Sequence, residues 1–440
     1  MTLFLHISDI HFRKSSGDVT DIDEDLRNEL VLDAKAFVGE HGKPDGILIS
    51  GDIGFSGQQR EYEIAEAWVD QLCEAVGRDG LYVWCVPGNH DVDQGTVKRS
   101  GLLKQLHESL RKAGENEIDA VLADLLGDSA AGEPLYSTIE GYNTWFGRKF
   151  GCEITFQQPC WSETFTLNDS SKLRINGVNS TIVSDHQDNI HKKIILGRYQ
   201  LPNRNDGVTD LLLCHHPPDW WQDSEQLSDD MGNRCHVQLF GHKHHHRLKR
   251  IDNSVVLSAG AVHPDRREDG WEPRYNWLSV SVVGEGDSRK LVVNVFPRVW
   301  SSQATKFIAD SNSCGGQQCV EHTLDLEPWS AQKPIAAETE GDRGSEKSEP
   351  LDEEGNAMKK SRILTYRFFE LPHVRRLDVV RDLDLIRDED EGLSDTELFH
   401  SIMLRARDEG VLADLWDKVQ EQHGDGEYKA NPYRTQEEST

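Results

Sequence analysis

Five short segments of this chain hold the residue types that bind divalent cations and move protons. They are Ser8-Asp9-Ile10-His11, Ser50-Gly51-Asp52, Pro87-Gly88-Asn89-His90-Asp91, Cys214-His215-His216-Pro217 and Gly241-His242-Lys243-His244. Mixed carboxylate, amide and imidazole donors suit hard-to-borderline ions such as Mn, Fe, Zn or Ni. One carboxylate can bridge two such ions about 3.5–4 Å apart. Asp9 and His11 are spaced to point the same way from an extended segment, and so are His242 and His244. Gly51, Gly88 and Gly241 let the backbone turn sharply and bring those side chains inward. Singly, each segment reads as an ordinary turn or cap. Five in this order, each after an apolar run, read as one site.

The elements that must position them are visible as short apolar runs. Leu3–Ile7, Gly46–Ser50, Leu81–Val86, Leu173–Val178, Leu211–Cys214, Val237–Phe240 and Val255–Ser258 have the composition of buried strands. Trp277–Val283 and Leu291–Phe296 form a closing hairpin. Helical spacing separates the runs, as at Asp21–Gly39 and Tyr62–Val76. The expected class is α/β with ligands at strand ends. Residues 92–170 interrupt this rhythm with helical patterns at Val97–Lys112 and Ile118–Leu126. They are an insertion that either shapes substrate entry or serves as a structural cap.

The order DxH, GD, GNHD, H, GHxH resembles the calcineurin-like metallophosphoesterase family over about the first 300 residues, with all five motifs intact. The resemblance implies a four-layer sandwich, two central sheets flanked by helices, with two divalent metal ions at the strand ends. It implies that Asp9, His11 and His244 hold the first ion. Asn89, His215 and His242 hold the second, and Asp52 bridges them. His90 contacts the phosphate and protonates the leaving oxygen, and Asp91 orients His90. The family pattern His-x-Pro selects His215 as ligand and leaves His216 beside the site, in reach of substrate. His245 and His246 either extend the ligand set or begin an exposed basic turn into Arg247–Arg250. Paired cations acidify a shared water, so the expected reaction is phosphoester hydrolysis.

Bulk properties narrow the substrate. The chain has 440 residues, 36% hydrophobic and 28% charged, with formal net charge −29. Such a surface repels phosphate backbones, so a nucleotide or other small phosphoester is the first expectation and a DNA nuclease of the same fold the alternative. A non-catalytic scaffold is the alternative of another class. Trp220-Trp221 either stacks a base or packs its loop. None of the eight cysteines forms a CxxC pair, and reduced thiols in a cytoplasmic protein are expected. No apolar window approaches the ~20 residues of a membrane helix.

The organisation expected is a catalytic domain over 1–328, a disordered acidic linker over 329–361, a helical unit over 362–424 and a flexible tail over 425–440. The linker lacks large apolar residues to bury. In the helical unit, Phe368-Phe369-x-Leu371-Pro372, Leu398-Phe399, Arg405-Ala406-Arg407, Leu415-Trp416 and Asn431-Pro432 resemble the small death-like, effector-associated adaptor domains of bacterial conflict systems. Those domains recruit partners, so the resemblance implies a protein partner for 362–424. A helical appendage is the other reading.

Overall fold

A computed structural model describes residues 1–13, 23–185, 188, 190–264, 272–330, 351–387, 390, 395–423 and 431–434. The chain divides into two compact units, 1–147 with 152–336, and 148–151 with 337–440.

The first unit is built on two mixed sheets. One contains β1 (Thr2–Ile7), β2 (Gly46–Ile49), β3 (Val83–Cys85), β10 (Arg274–Val283), β11 (Lys290–Ser301), β12 (Lys306–Ala309) and β13 (Val320–Asp325). Its order is β12-β11-β10-β1-β2-β3, with β13 also paired to β11. The other contains β4 (Cys160–Thr166), β5 (Lys172–Val178), β6 (Val208–Cys214), β7 (Cys235–Phe240), β8 (Arg247–Ile251) and β9 (Ser254–Ser258), in the order β4-β5-β6-β7-β9-β8. Helices flank the sheets, Glu24–His41 and Gln59–Ala75 on the first and Ser224–Arg234 on the second. This is the four-layer arrangement expected.

Two parallel runs decide where the site falls. β1, β2 and β3 are adjacent and parallel in one sheet, and β6 and β7 are adjacent and parallel in the other. Every residue of β1, β2 and β3 is buried, which explains their unbroken apolar composition. Phe165 of β4 meets Phe4 of β1 and Trp84 of β3 at 5.1 and 5.3 Å, so aromatic packing joins the sheets. The C-terminal ends of five strands thereby open on one edge of the sandwich.

Several elements differ from the sequence reading. β4 lies inside the segment expected to be a helical insertion; the helices there run between Gln94 and Gly147. The pattern at 97–112 is two helices, because Ser100 caps the second by accepting from the Leu103 amide. Arg247–Ile251, absent from the expected strands, is edge strand β8, which follows the basic turn at His245 and His246. Its exposed charges hid it, and such charges protect an edge from further pairing.

In the second unit, helices Leu351–Glu370, His373–Asp382, Asp395–Asp408 and Leu412–His423 enclose a core of Leu364, Phe368, Val380, Phe399, Ile402 and Trp416. The first helix begins within the stretch expected to be linker; residues 331–350 lie outside the described residues. In the expected tail, the Asn431 amide donates to Ala413 O and Asp417, and Tyr433 packs on Trp416. That segment is therefore anchored; 425–430 and 435–440 are outside the described residues. Among the described residues no helix is long and apolar enough to cross a membrane.

Trp277 of β10 is 0% exposed and stacks on Phe37 at 4.3 Å and 10°. Trp277→Ala should cost about 3–5 kcal/mol in urea denaturation of the first unit. A loss under about 1 kcal/mol would show that this layer does not support the fold.

Candidate metal centre

The site is assembled from the turn that follows each of those five strands. After β1, the Asp9 amide donates to Gly51 O and the Ile10 and His11 amides to Asp52 O, locking the first two motifs together. Asp9, His11, Asp52, His242 and His244 all have positive φ, between 53° and 67°. Half of the ten left-handed non-glycine residues described are thus expected ligands. Side chains rarely adopt this conformation unless the surroundings impose it. The Asp-x-His and His-x-His pairs therefore converge through left-handed turns, not through the extended spacing expected from sequence.

The glycines leave room that a side chain would fill. A Cβ on Gly88 would lie 2.2 Å from Asp52 Oδ1, and one on Gly241 would lie 2.1 Å from Ser8 Oγ and 2.9 Å from Asp9 Oδ2. Close approach of backbone to carboxylate is what these positions require.

The donor atoms fall into two groups that share one oxygen. Asp52 Oδ2 lies 3.1 Å from His11 Nε2 and 3.4 Å from His215 Nε2. On the first side, Asp9, His11 and His244 bring their ligand atoms within 4.8 Å of one another. On the second, Asn89 Oδ1 lies 3.0 Å from His215 Nε2 and 2.9 Å from His242 Nδ1. Carbonyls set two of the imidazoles. His11 Nδ1–H donates to His263 O at 3.3 Å and His215 Nδ1–H to Ser50 O at 2.8 Å. That leaves each Nε2 facing the shared centre.

Asp9 and Asp52 are buried, which alone would raise their carboxyls. His244 nevertheless holds Asp9 at about 2, and His215, His90 and His11 hold Asp52 well below the usual range. Burial depresses His242 to about 3 and also lowers His11. Burial would lower His215 too, but Asp52 and Asp9 push it up to about 9. Ionised carboxylates, a carbonyl amide and imidazoles, once His215 has given up its proton, form a donor set that fits two hard-to-borderline divalent cations.

His90 lies at the mouth and Asp91 beneath it. The His90 amide donates to Asp52 Oδ1 at 2.8 Å. Its Nδ1–H donates to Phe55 O at 2.9 Å, and its ring stacks on Phe55 at 4.9 Å. Asp91 was expected to orient His90 directly, but its carboxylate instead accepts from the Ile53, Gly54 and Gly88 amides and the Tyr62 hydroxyl. It therefore acts at one remove, by fixing the loop that presents Phe55 O. Glu61 helps by accepting from the Phe55, Ser56 and Gln58 amides. Sequence reasoning missed Phe55, Glu61, Tyr62 and the carbonyls of Ser50 and His263. Backbone acceptors leave no trace in residue type.

His216 is 0% exposed, so a substrate in the mouth does not reach it as expected. The mouth, about 450 Å³, is lined by Asp52, Asn89, His90, His191, Trp220, Lys243 and Arg247 among others. Trp220 lines it, covered by His191 at 4.0 Å, while Trp221 is fully buried and donates to His216 O. No residue of 92–170 lines the mouth. Arg111 instead grips Val183 O, Asp185 and Lys193 O, bracing the loop that carries His191.

This fold is that of a phosphoesterase, and its donor groups could hold metal ions. A family model described as calcineurin-like phosphoesterase matches residues 2–246, and the chain belongs to that family. A GTPase-associated adaptor domain is matched over residues 360–421. Solved structures it is similar to include Vps29 complexed with Zn+2 from Entamoeba histolytica, 12% identical, covering 74% of this chain and 99% of that one, TM-score 0.29. Others are GAP50 of Plasmodium, 9% identical, covering 74% and 89%, TM-score 0.36, and a putative 5'-nucleotidase from Staphylococcus aureus, 10% identical, covering 82% and 58%, TM-score 0.29. No curated protein matches the chain.

His215 must lose its proton before a cation can take its Nε2. A proton held up to about pH 9 is then displaced at neutral pH. Loading the metal-free chain with Mn at pH 7 should release about one proton at this position. Calorimetric binding enthalpies that do not vary with buffer ionisation enthalpy would refute this.

Proposed function

We propose that this chain is a dinuclear-metal hydrolase of a small phosphoester, with a nucleotide as the leading substrate class. The reading rests on one observation above all: Asp52 Oδ2 stands between His11 Nε2 and His215 Nε2, each in its own donor group. Asp9, His11 and His244 would hold one ion, Asn89, His215 and His242 the other, and Asp52 both. Mn, Fe, Zn or Ni suit these donors. Bound there, two such ions supply an acidified water and draw charge from phosphoryl oxygens.

The rest falls to the chain's own residues. With Nδ1–H committed to Phe55 O, His90 presents Nε2 to the mouth. A proton on Nε2 can pass to the leaving oxygen as the ester bond breaks. Lys243 and Arg247 bring positive charge to the mouth of a protein whose net charge is −29. Lys243 is held over Trp220 and paired with Asp219. A mouth of about 450 Å³ matches a small ligand.

Asp52→Asn or His90→Gln should lower turnover of an aryl phosphodiester by at least about 100-fold while leaving the far-UV dichroism intact. Wild-type rates in either variant would sink the assignment. Phe55→Ala should act more mildly, since it leaves the carbonyl in place.

The adaptor domain supports a second part of the proposal: the enzyme is recruited by a nucleotide-binding switch protein, for which the family's GTPase association speaks. Because the helical unit begins at Leu351, the relevant truncation ends at residue 350. That chain should keep basal hydrolysis and lose co-purification of a GTP-binding protein from its native host. Retained co-purification would count against recruitment through this unit.

A further inference from the structure

We propose that His216 is an additional ligand of the second ion, binding through Nε2 beside Asn89, His215 and His242. The inference rests on the metal-binding reading above and extends it to a residue that the family motifs leave out.

Three sides of His216 are accounted for. Its amide donates to Ser180 Oγ at 3.1 Å, and its Nδ1 lies 2.9 Å from the same oxygen. Its carbonyl accepts from Trp221 Nε1 at 2.9 Å. The side chain is 0% exposed, yet Nε2 has no hydrogen-bond partner. A buried polar nitrogen left unpaired is costly, so such atoms mark places where something else binds. The surroundings say what that is. The ring centroids of His215 and His242 lie 4.8 and 4.5 Å from that of His216. Ligand atoms of the three imidazoles lie within 4.8 Å of one another. Three imidazoles packed together, His215 and His216 buried and His242 at the mouth, two of them already facing Asn89 Oδ1, are an arrangement that a cation reconciles by drawing on their lone pairs. Ser180 Oγ, accepting from Nδ1–H, holds the ring in place and leaves the Nε2 lone pair for the ion.

The consequence is two unequal metal positions. The first draws on Asp9, His11 and His244, while the second gains a third imidazole and no carboxylate of its own. Nitrogen-rich donor sets favour Zn, Fe and Ni over Mg and Mn. The second position should therefore be the tighter for these ions.

The test uses the full-length chain loaded with Zn or Co(II). In the wild type, a metal-loaded crystal structure should place His216 Nε2 at about 2.1 Å from an ion. A distance beyond about 3 Å, with the ion present, overturns the inference without any variant. His216→Gln should weaken one of two ions about 10- to 100-fold by competition with a chelator, and change the Co(II) visible spectrum. Ser180→Ala should weaken it less and keep the spectrum, because the ligand remains. Equal affinity and an identical spectrum in His216→Gln would refute the role. Failure of the wild type to bind two ions would instead refute the dinuclear reading beneath it.

Discussion

Two ionised carboxylates sit at the seam of the sandwich, and the architecture around them follows from that burden. Asp9 and Asp52 are 0% and 1% exposed. Charge removed from water needs compensation in full, by amides, imidazoles or cations. Asp9 Oδ2 takes the His242 amide from the opposite sheet, and Asp52 Oδ1 takes the His90 amide. Their other oxygens face histidines. The seam thus holds closely spaced negative charge whose partners come from every strand end around it. Cations would complete that compensation, and under the proposal the same ions would perform the chemistry.

The backbone carries its share of the burden. Five ligand residues sit in the left-handed region, and Gly88 and Gly241 lie where a methyl group would collide with a carboxylate. Strain of this kind persists where surrounding contacts over-determine it. Asp91 contributes by organising three amides and Tyr62 into a fixed loop. Burial and the Asp52 charge push the Asp91 carboxyl up to about 6, against the pull of those amides. His90 is then aimed by a carbonyl of that loop, a support that belongs to the fold and not to the motif.

Much of the fold was legible because buried parallel strands are written as uninterrupted apolar runs. β1, β2 and β3 were placed to within a few residues for that reason. β8 was not, because an exposed edge strand of Arg and Lys resembles a turn. The helix from Leu351 was not either, since its first turns carry the acidic composition of a linker. Phe368, Phe399 and Trp416, part of the pattern that resembles adaptor domains, do lie in the core of the C-terminal unit.

By itself the sequence determined which residue types are available and that each follows a strand, since donor chemistry and apolar runs are local properties. It thereby determined the family and the donor chemistry available to the centre. Only the tertiary structure decided which atoms share a centre. Asp52 meets His215 across 163 positions of chain, at 3.4 Å, because two sheets face each other. The structure also decided that Asp91 holds a loop and not the His90 ring, that Trp220 faces the mouth while Trp221 is core, and that His216 is sealed beside His242. Burial and orientation are properties of packing between segments distant in sequence, and no local pattern encodes them.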